Sequence, residues 1–311
     1  ESTELLAAVA EALRIGREAN LPVHVSHFKS SGRDAWGLVR RAAEQIEEAR
    51  KTGQIVTADQ YPYIASSTSL EATLIPTWAR AGGQKELIQR LEDSQLAERI
   101  RDAIRGNLQK KDGGTAIRIA RYAPRQDWIG KNLVEIAEAE GKTPLDIALE
   151  ITRGGGASIV NFSMSEDDVR HIMQIDWVAT ASDGRAYLPG ADKPHPRSYG
   201  TFPRKIGYYS LTENVLPLTA AIRSSSGLPA DILGLTDRGH LKPDCFADVV
   251  VFDPQEFRDA ATFDDPHQYS RGAEYVFVNG EVAVYRGSPT GALSGRALRH
   301  SAEGGRRKDE G

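Results

Sequence analysis

The first 60 residues alternate between helical and strand patterns, and this alternation limits the possible folds more than any other feature of the chain. A short β-branched run at 21–27 is followed by apolar residues at helical spacing over 36–49, and then by a second β-branched run at 55–59. Strand, loop, helix and strand at this spacing are typical of a βαβ unit, whose two strands join one parallel sheet. The sequence therefore predicts an α/β fold.

The region from about 73 to 153 interrupts this alternation. It carries mainly helical patterns, including a helix start at Thr143-Pro144, together with one possible strand at 116–120. We interpret it as a helical insertion. The alternation then resumes with a strand pattern at 158–162 and a further strand at 177–180.

The pattern changes to all-β after about residue 238. A buried strand is predicted at 247–254, and two alternating apolar runs flank Asn279-Gly280, which is a strong hairpin signal. We therefore predict three parts: a barrel portion at 1–237 with its insertion, a small β-sandwich module at 238–300, and a disordered tail at 301–311, because the tail is Gly-rich and charged.

The charge balance and the single cysteine limit the partners and the compartment. The formal net charge is -4, so neither nucleic acid nor an anionic membrane is expected as a partner. No apolar run reaches the roughly 18 residues of a membrane span. Cys245 alone permits no intrachain disulfide, which fits the predicted cytoplasmic location, although a cysteine-poor secreted enzyme would show the same pattern. The chain begins at Glu1 in a helical pattern, and we expect the natural protein to be longer.

Two residues at predicted strand ends are candidate metal or catalytic groups. His27 closes the first strand, where a neutral imidazole could bind zinc, although a structural histidine at a loop start is an equal alternative. Asp183 follows the strand at 177–180, where a carboxylate could bind a metal and take a proton from water. The alternative for Asp183 is a turn residue, because Asp-Gly is common in turns.

A segment rich in proline, aromatic and basic residues at 193–204 is predicted to be an ordered loop. Within it, Arg197 could hold a substrate carboxylate through two parallel hydrogen bonds. The alternative is an arginine that pairs with a surface acid.

Together and in this order, the motifs resemble the N-acyl-D-amino-acid deacylase (D-aminoacylase) family of the amidohydrolase superfamily. The residues that carry the resemblance are Ser26-His27-Phe28-Lys29, Asp59-Gln60-Tyr61-Pro62-Tyr63-Ile64-Ala65-Ser66-Ser67-Thr68, Ser182-Asp183-Gly184, Pro194-His195-Pro196-Arg197, Gly200-Thr201-Phe202-Pro203-Arg204, Asp237-Arg238-Gly239, Ala247-Asp248-Val249-Val250-Val251-Phe252-Asp253-Pro254 and Val278-Asn279-Gly280. The resemblance covers about 1–300, and it is weakest in the insertion.

The resemblance implies a TIM-like (β/α) barrel, here only in part, with a small β-sandwich and one or two zinc ions. It implies that His27 is a zinc ligand after the fifth strand, and that Asp183 after the eighth strand is both a metal ligand and the catalytic base. Arg197 is similar to the family arginine that holds the substrate carboxylate. The other residues expected to line the substrate site are Tyr63, Ser67 and Lys29.

Two parts of the family pattern have no counterpart in this chain. The early His-x-His of the metal site is expected upstream of Glu1. Relatives often place a further metal-binding histidine after the sixth strand, where the nearest residue here is Tyr61.

The predicted function is zinc-dependent hydrolysis of the amide bond of small N-acyl-D-amino acids. Two alternatives stay open at this point. One is a cyclic-amide hydrolase similar to hydantoinases or dihydroorotases, and the other is a non-catalytic homologue that lacks the N-terminal metal ligands. The sequence predicts no oligomeric state.

Overall fold

The computed structural model describes residues 2–298 as an α/β structure with three sheets. The tail predicted at 301–311 lies outside the described residues. The α-helices are α1 (Leu5–Ala19), α2 (Leu38–Lys51), α3 (Leu70–Leu74), α4 (Thr77–Arg80), α5 (Gln84–Glu92), α6 (Ser94–Gln109), α7 (Leu133–Glu140), α8 (Pro144–Arg153), α9 (Glu166–Ile172), α10 (Arg197–Pro203), α11 (Leu218–Ser225) and α12 (Gly227–Leu233). Short 3₁₀ turns occupy Arg33–Ala35, Asp112–Gly114 and Gln126–Trp128, and a π-helical segment occupies Arg204–Thr212.

The strands fall into one parallel and two antiparallel groups. They are β1 (Val23–Val25), β2 (Val56–Gln60), β3 (Ala65–Ser69), β4 (Ile117–Arg121), β5 (Ser158–Phe162), β6 (Val178–Thr180), β7 (Val249–Phe252), β8 (Ala273–Val278), β9 (Glu281–Tyr285) and β10 (Ser288–Pro289). In the part of the chain that the structure describes, no helix combines the length and the apolar character needed to cross a bilayer.

The parallel sheet has the order β1-β2-β6, which confirms the predicted βαβ unit. One face of this sheet packs on α1 and α2 through a core that includes Val9, Ile46 and Val56. Strand side chains alternate between faces, so His24 of β1 and Asp59 of β2 point away from that core. This second face carries the polar side chains that lead into the candidate site.

The insertion is not purely helical, because β3, β5 and β4 form an antiparallel sheet in that order. The predicted strand at 116–120 is present as β4. The prediction that 158–162 resumes the parallel alternation was wrong, because β5 pairs antiparallel with both β3 and β4. The apolar pattern of a short strand does not encode its partner, which is chosen by packing.

The sheet order also corrects the strand numbers that the resemblance implied. In a barrel whose strands follow chain order, the fifth and eighth strands have two strands between them. Here β2 alone lies between β1 and β6, because β5 belongs to the insertion. If Asp183 follows the eighth strand, His27 follows the sixth and not the fifth.

The C-terminal module is one antiparallel sheet with the order β10-β9-β8-β7. The hairpin at Asn279-Gly280 is confirmed, with both residues at positive φ as its two-residue turn requires. The strand predicted to be buried, β7, instead has Val250 and Val251 52% and 46% exposed. Within residues 2–298 no second sheet covers these side chains, so the β-sandwich stays a prediction.

The segment at 193–204 was predicted to be a loop, but helix α10 begins at Arg197 and continues into the π-helical segment. Proline content favoured a loop, but Pro196 precedes the first helical residue, where a missing N–H is harmless. Pro203 cannot bond the carbonyl of Tyr199 one turn earlier, and Ser270 Oγ donates to that carbonyl at 3.2 Å. Tertiary contacts therefore stabilise a helix that local propensity disfavours.

Candidate active site

His27 lies in the turn that follows β1, with a left-handed φ of 43°. Its N–H donates to Asp59 Oδ1 at 2.7 Å, and the next N–H, of Phe28, donates to the Asp59 carbonyl at 2.8 Å. Residues other than glycine rarely adopt this conformation, and those that do are often found at functional sites. The two hydrogen bonds to Asp59 hold this turn against the neighbouring strand β2.

The imidazole of His27 contacts a buried lysine. Lys29 Nζ lies 2.8 Å from His27 Nδ1 and donates to the His27 carbonyl at 3.0 Å. An ammonium group has only donors, so Nδ1 accepts and the ring carries its proton on Nε2 if it is neutral. The Lys29 ammonium also lies over the Tyr61 ring, 5.5 Å from its centroid.

Asp59 is held by His24 as well as by the His27 turn. His24 Nε2 lies 2.8 Å from Asp59 Oδ2, and His24 Nδ1 lies 2.8 Å from Thr57 Oγ1. Burial alone would raise the pKa of Asp59, but the hydrogen bonds from His24 and the His27 amide outweigh it, so the pKa is lowered. Asp59 is therefore a carboxylate near neutral pH.

Asp183 follows β6 and forms an ion pair with Arg197, whose Nη1 lies 2.8 Å from Asp183 Oδ2. Asp183 also has a left-handed φ, 45°. The Arg197 side chain is 7% exposed and lies over the Tyr61 ring at 4.5 Å, whereas the Asp183 side chain is 43% exposed. The carboxylate therefore faces solvent, and the guanidinium is fixed behind it.

The His27–Lys29 pair and the Asp183–Arg197 pair meet at one aromatic ring. The cations of both pairs lie over Tyr61. Strands β1 and β6 flank β2 in the parallel sheet, which places them about 10 Å apart. Because these strands are parallel, His27 and Asp183 both follow the carboxyl ends of their strands, at the same end of one sheet.

His195 connects the start of α10 to the insertion. Its Nε2 donates to the carbonyl of Ala65 at 2.8 Å, and its Nδ1 accepts from the N–H of Arg197 at 3.0 Å. The ring packs edge-on against Tyr63 and Phe263. Burial, with a smaller effect of the Arg197 charge, lowers the pKa of His195 to about 3, so this histidine is neutral and structural.

A small cavity is lined by several of these residues, and a second cavity lies next to it. The smaller, about 10 Å³, has room for one water and is lined by residues that include His27, Lys29 and Tyr63. The larger and more open cavity, about 310 Å³, shares Met164 with it and lies against the insertion. Ser67 lies elsewhere, in the middle of β3 opposite Val160.

The donor types at the strand ends suit zinc, but the set is incomplete. Among residues 2–298, no group of three or more histidine, cysteine or acidic side chains is placed to hold a metal ion. A zinc centre takes at least three protein ligands. His27 and Asp183 therefore fit part of such a centre, and here their atoms contact Lys29 and Arg197 instead.

Sequence reasoning found the strand-end residues but missed the groups that hold them. It set His24 aside in favour of His27, and it assigned no role to Asp59 or His195. The alternation of His24 and Ser26 with Val23 and Val25 was the available signal, because it places a histidine on the polar face of β1.

Comparison with known proteins assigns the chain to a family. The sequence profile of the amidohydrolase family matches residues 88–284, which is more than half of the chain. The chain belongs to the amidohydrolase family. This family membership agrees with the resemblance that the motifs indicated.

Curated relatives of this amidohydrolase chain come from Alcaligenes xylosoxydans xylosoxydans. A D-aminoacylase and an N-acyl-D-glutamate deacylase are each 34% identical over 302 residues, which is 97% of this chain but 54% and 53% of the relatives. An N-acyl-D-aspartate deacylase is 33% identical over 292 residues, covering 94% of this chain and 50% of the relative. The chain thus spans about half the length of the curated relatives it matches.

The solved structures that this chain resembles are also of a D-aminoacylase and an N-acyl-D-glutamate deacylase. A D-aminoacylase crystal structure, described as defining a novel subset of amidohydrolases, matches with a TM-score of 0.76 at 34% identity, covering 96% of this chain and 54% of that one. An N-acyl-D-glutamate deacylase from Bordetella bronchiseptica, complexed with zinc and a phosphonate mimic of the tetrahedral intermediate, matches with a TM-score of 0.73 at 33% identity, covering 93% and 53%. Another D-aminoacylase structure, at a TM-score of 0.75 and 34% identity over 96% and 54%, concerns a binuclear metal centre.

Proposed function

We propose that the complete protein containing this chain hydrolyses the amide bond of N-acyl-D-amino acids and releases a carboxylate and a D-amino acid. The observation that carries the proposal is the 2.8 Å pair of Asp183 and Arg197. In such a substrate the carboxyl carbon and the acyl carbon are three bonds apart, at most about 4 Å. A catalytic base and a carboxylate-binding cation must therefore be neighbours, as these two residues are.

In the proposed complex, Arg197 binds the α-carboxylate of the substrate. Its planar guanidinium matches a carboxylate through two parallel hydrogen bonds, and its contact with the Tyr61 ring limits its rotation. A fixed carboxylate leaves one enantiomer with its amide directed at Asp183. Arg197 is thereby proposed to set both affinity and stereoselectivity.

Asp183 is proposed to move the proton. It accepts a proton from the attacking water as the water oxygen bonds to the acyl carbon. It then returns that proton to the amine nitrogen as the carbon–nitrogen bond breaks. A base that is both solvent-facing and close to Arg197 suits this transfer.

We propose that His27 and Asp183 supply part of a zinc centre of one or two ions. The support is the zinc and the binuclear metal centre named for the similar structures, together with the corrected strand order. If Asp183 follows the eighth strand, His27 is itself the sixth-strand histidine, and Tyr61 then replaces no ligand. Bound zinc would lower the pKa of water towards about 7.

The remaining contacts of the substrate are proposed for the side chains around the cavities. Lys29 and Tyr63 line the small cavity beside His27, and the larger cavity has the volume of a small-molecule site. Ser67 stays a prediction, since it lies farther along β3. Action in the reducing cytoplasm also stays a prediction, which rests on the single cysteine.

The deciding experiment measures turnover of N-acetyl-D- and N-acetyl-L-amino acids by the complete protein. Asp183→Asn should lower kcat at least about 100-fold, because general acid–base catalysis contributes that much. Arg197→Ala should raise KM and reduce the preference for the D enantiomer. Asp127→Asn and Arg105→Ala change residues in exposed ion pairs and serve as controls. Wild-type turnover by Asp183→Asn would refute the assignment.

The same assay separates the two alternatives. A wild-type protein that cleaves hydantoins or dihydroorotate faster than N-acyl-D-amino acids is a cyclic-amide hydrolase. A protein that turns over neither class and binds no zinc is a non-catalytic homologue.

A further inference from the structure

The turn that presents His27 needs an external restraint. A histidine at a φ of 43° is in a region that residues with a Cβ rarely occupy, so surrounding contacts must favour it. The side chain of Asp59 provides the first of these contacts, through its Oδ1 and the His27 N–H at 2.7 Å. The contact joins residues 32 positions apart, so it is tertiary and not part of a local turn motif.

A hydrogen-bonded chain extends from Asp59 to the middle of β1. His24 Nε2 meets Asp59 Oδ2 at 2.8 Å, and Thr57 Oγ1 meets His24 Nδ1 at 2.8 Å. In the neutral ring, Nε2 therefore donates to the carboxylate, and Nδ1 accepts from the threonine hydroxyl. Both carboxylate oxygens of Asp59 are thus engaged, which fixes its side-chain rotamer.

This chain of polar groups contributes little to the apolar core. His24 and Asp59 lie on the face of the sheet opposite the packed helices, and their side chains are 33% and 15% exposed. Because the Asp59 carboxylate is partly solvated and binds one strained backbone amide, we expect it to affect the orientation of the His27 turn more than the free energy of unfolding. The amide that it binds belongs to the residue proposed to act at the site.

We propose that Asp59, held by His24, is a positioning residue that directs the imidazole of His27 towards the reaction site. The role of His27 rests on the proposed function, whereas the restraint on the turn does not. Groups that orient a metal-site histidine typically affect activity about 10- to 100-fold. Asp59 touches no substrate and acts through the backbone of His27.

The first test measures amide hydrogen exchange of the segment that contains His27, in the metal-free chain. Asp59→Ala should speed exchange of the His27 amide about tenfold or more, because its hydrogen-bond acceptor is lost. Asp59→Asn keeps an oxygen acceptor, so its exchange should stay within about threefold of wild type. Unchanged exchange in Asp59→Ala would overturn the restraint.

The second test measures kcat and KM of the same variants in the complete protein with N-acetyl-D-amino acids. Asp59→Ala should lower kcat about 10- to 100-fold with KM nearly unchanged, and Asp59→Asn should restore most of the rate. Equal rates for Asp59→Ala and wild type, or an equal loss in Asp59→Asn, would overturn the proposal. An inactive wild type would refute the proposed function, and the exchange data would still decide whether Asp59 holds the turn.

Asp248, beside the C-terminal sheet and not among the residues proposed to act at the site, provides a matched control. Its Oδ1 accepts the N–H of Asn279 at 2.7 Å, Asn279 has a φ of 52°, and Arg238 pairs with its other oxygen. Asp248→Ala should speed exchange of the Asn279 amide while kcat stays at the wild-type value. A fall in kcat equal to that of Asp59→Ala would reduce Asp59 to a general structural role and overturn its positioning role.

Discussion

Lys205 lies in the π-helical segment with 1% of its surface exposed. Its ammonium nitrogen has no hydrogen-bond partner among residues 2–298. Burial lowers the pKa of Lys205 to about 7, because the charged form loses its hydration. Between about pH 7 and 10.5 the unfolded chain thus binds a proton that the folded chain does not bind.

This difference predicts that the free energy of unfolding rises with pH above about 7, by up to 1.4 kcal/mol per pH unit. Lys205→Met should remove that slope and raise the free energy of unfolding at neutral pH by about 1–4 kcal/mol. Urea unfolding at pH 7 and pH 9 measures both effects. The exposed Lys131→Met serves as the control, and a Lys205→Met protein that is less stable than wild type at pH 7 would contradict the prediction.

At this scale the sequence predicted the candidate side chains but not the groups that hold them. His27 and Asp183 follow strands whose patterns are local, so their places after β1 and β6 could be predicted from the parallel sheet alone. Asp59 and His24 meet across 35 residues, and His195 reaches Ala65 across 130. The alternation in β1 places His24 on the polar face of the sheet, but which side chains it meets there depends on strand pairing, which the local pattern does not encode.

At the scale of elements, one hydroxyl group supports the continuation of α10 past Pro203. Proline inside a helix leaves the carbonyl four residues earlier without its usual donor, and here Ser270 bonds that carbonyl of Tyr199. The helix carries Arg197 at its first position, so its integrity bears directly on the site.

Ser270→Ala should therefore lower the free energy of unfolding by about 1 kcal/mol, because a half-buried carbonyl loses its partner. In a Pro203→Ala background the new N–H can bond the Tyr199 carbonyl, and the effect of Ser270→Ala should fall to near zero. Urea unfolding of the four proteins in this double-mutant cycle measures the coupling. An equal loss of unfolding free energy in both backgrounds would exclude coupling between Ser270 and Pro203.

Elements with complete local signals matched their predictions. The helix predicted to start at Thr143-Pro144 begins at Pro144, and the predicted Asn279-Gly280 turn joins β8 to β9. The partners of β5 and the helical state of α10 were missed. Both depend on packing with distant segments, which outweighs local propensity.

At the scale of the whole molecule, the described residues hold two candidate zinc ligands and no complete metal centre. We therefore predict that the isolated 311-residue chain retains below about 0.1 zinc per chain after dialysis against a chelator, since a stable site would stay loaded. The complete protein should retain at least one zinc. Elemental analysis by mass spectrometry measures both, and one tightly held zinc in the isolated chain would show that its own residues suffice.

The exposed strand β7 has a consequence for handling the chain. It is the edge of its sheet, and Val249–Phe252 is an uncharged, β-branched run with two valines open to water. Unprotected edges of this composition pair readily with the same strand of another molecule and seed fibrils. Concentrated solutions of the isolated chain should therefore form aggregates that bind thioflavin. A single Val250→Lys change should delay the start of this aggregation.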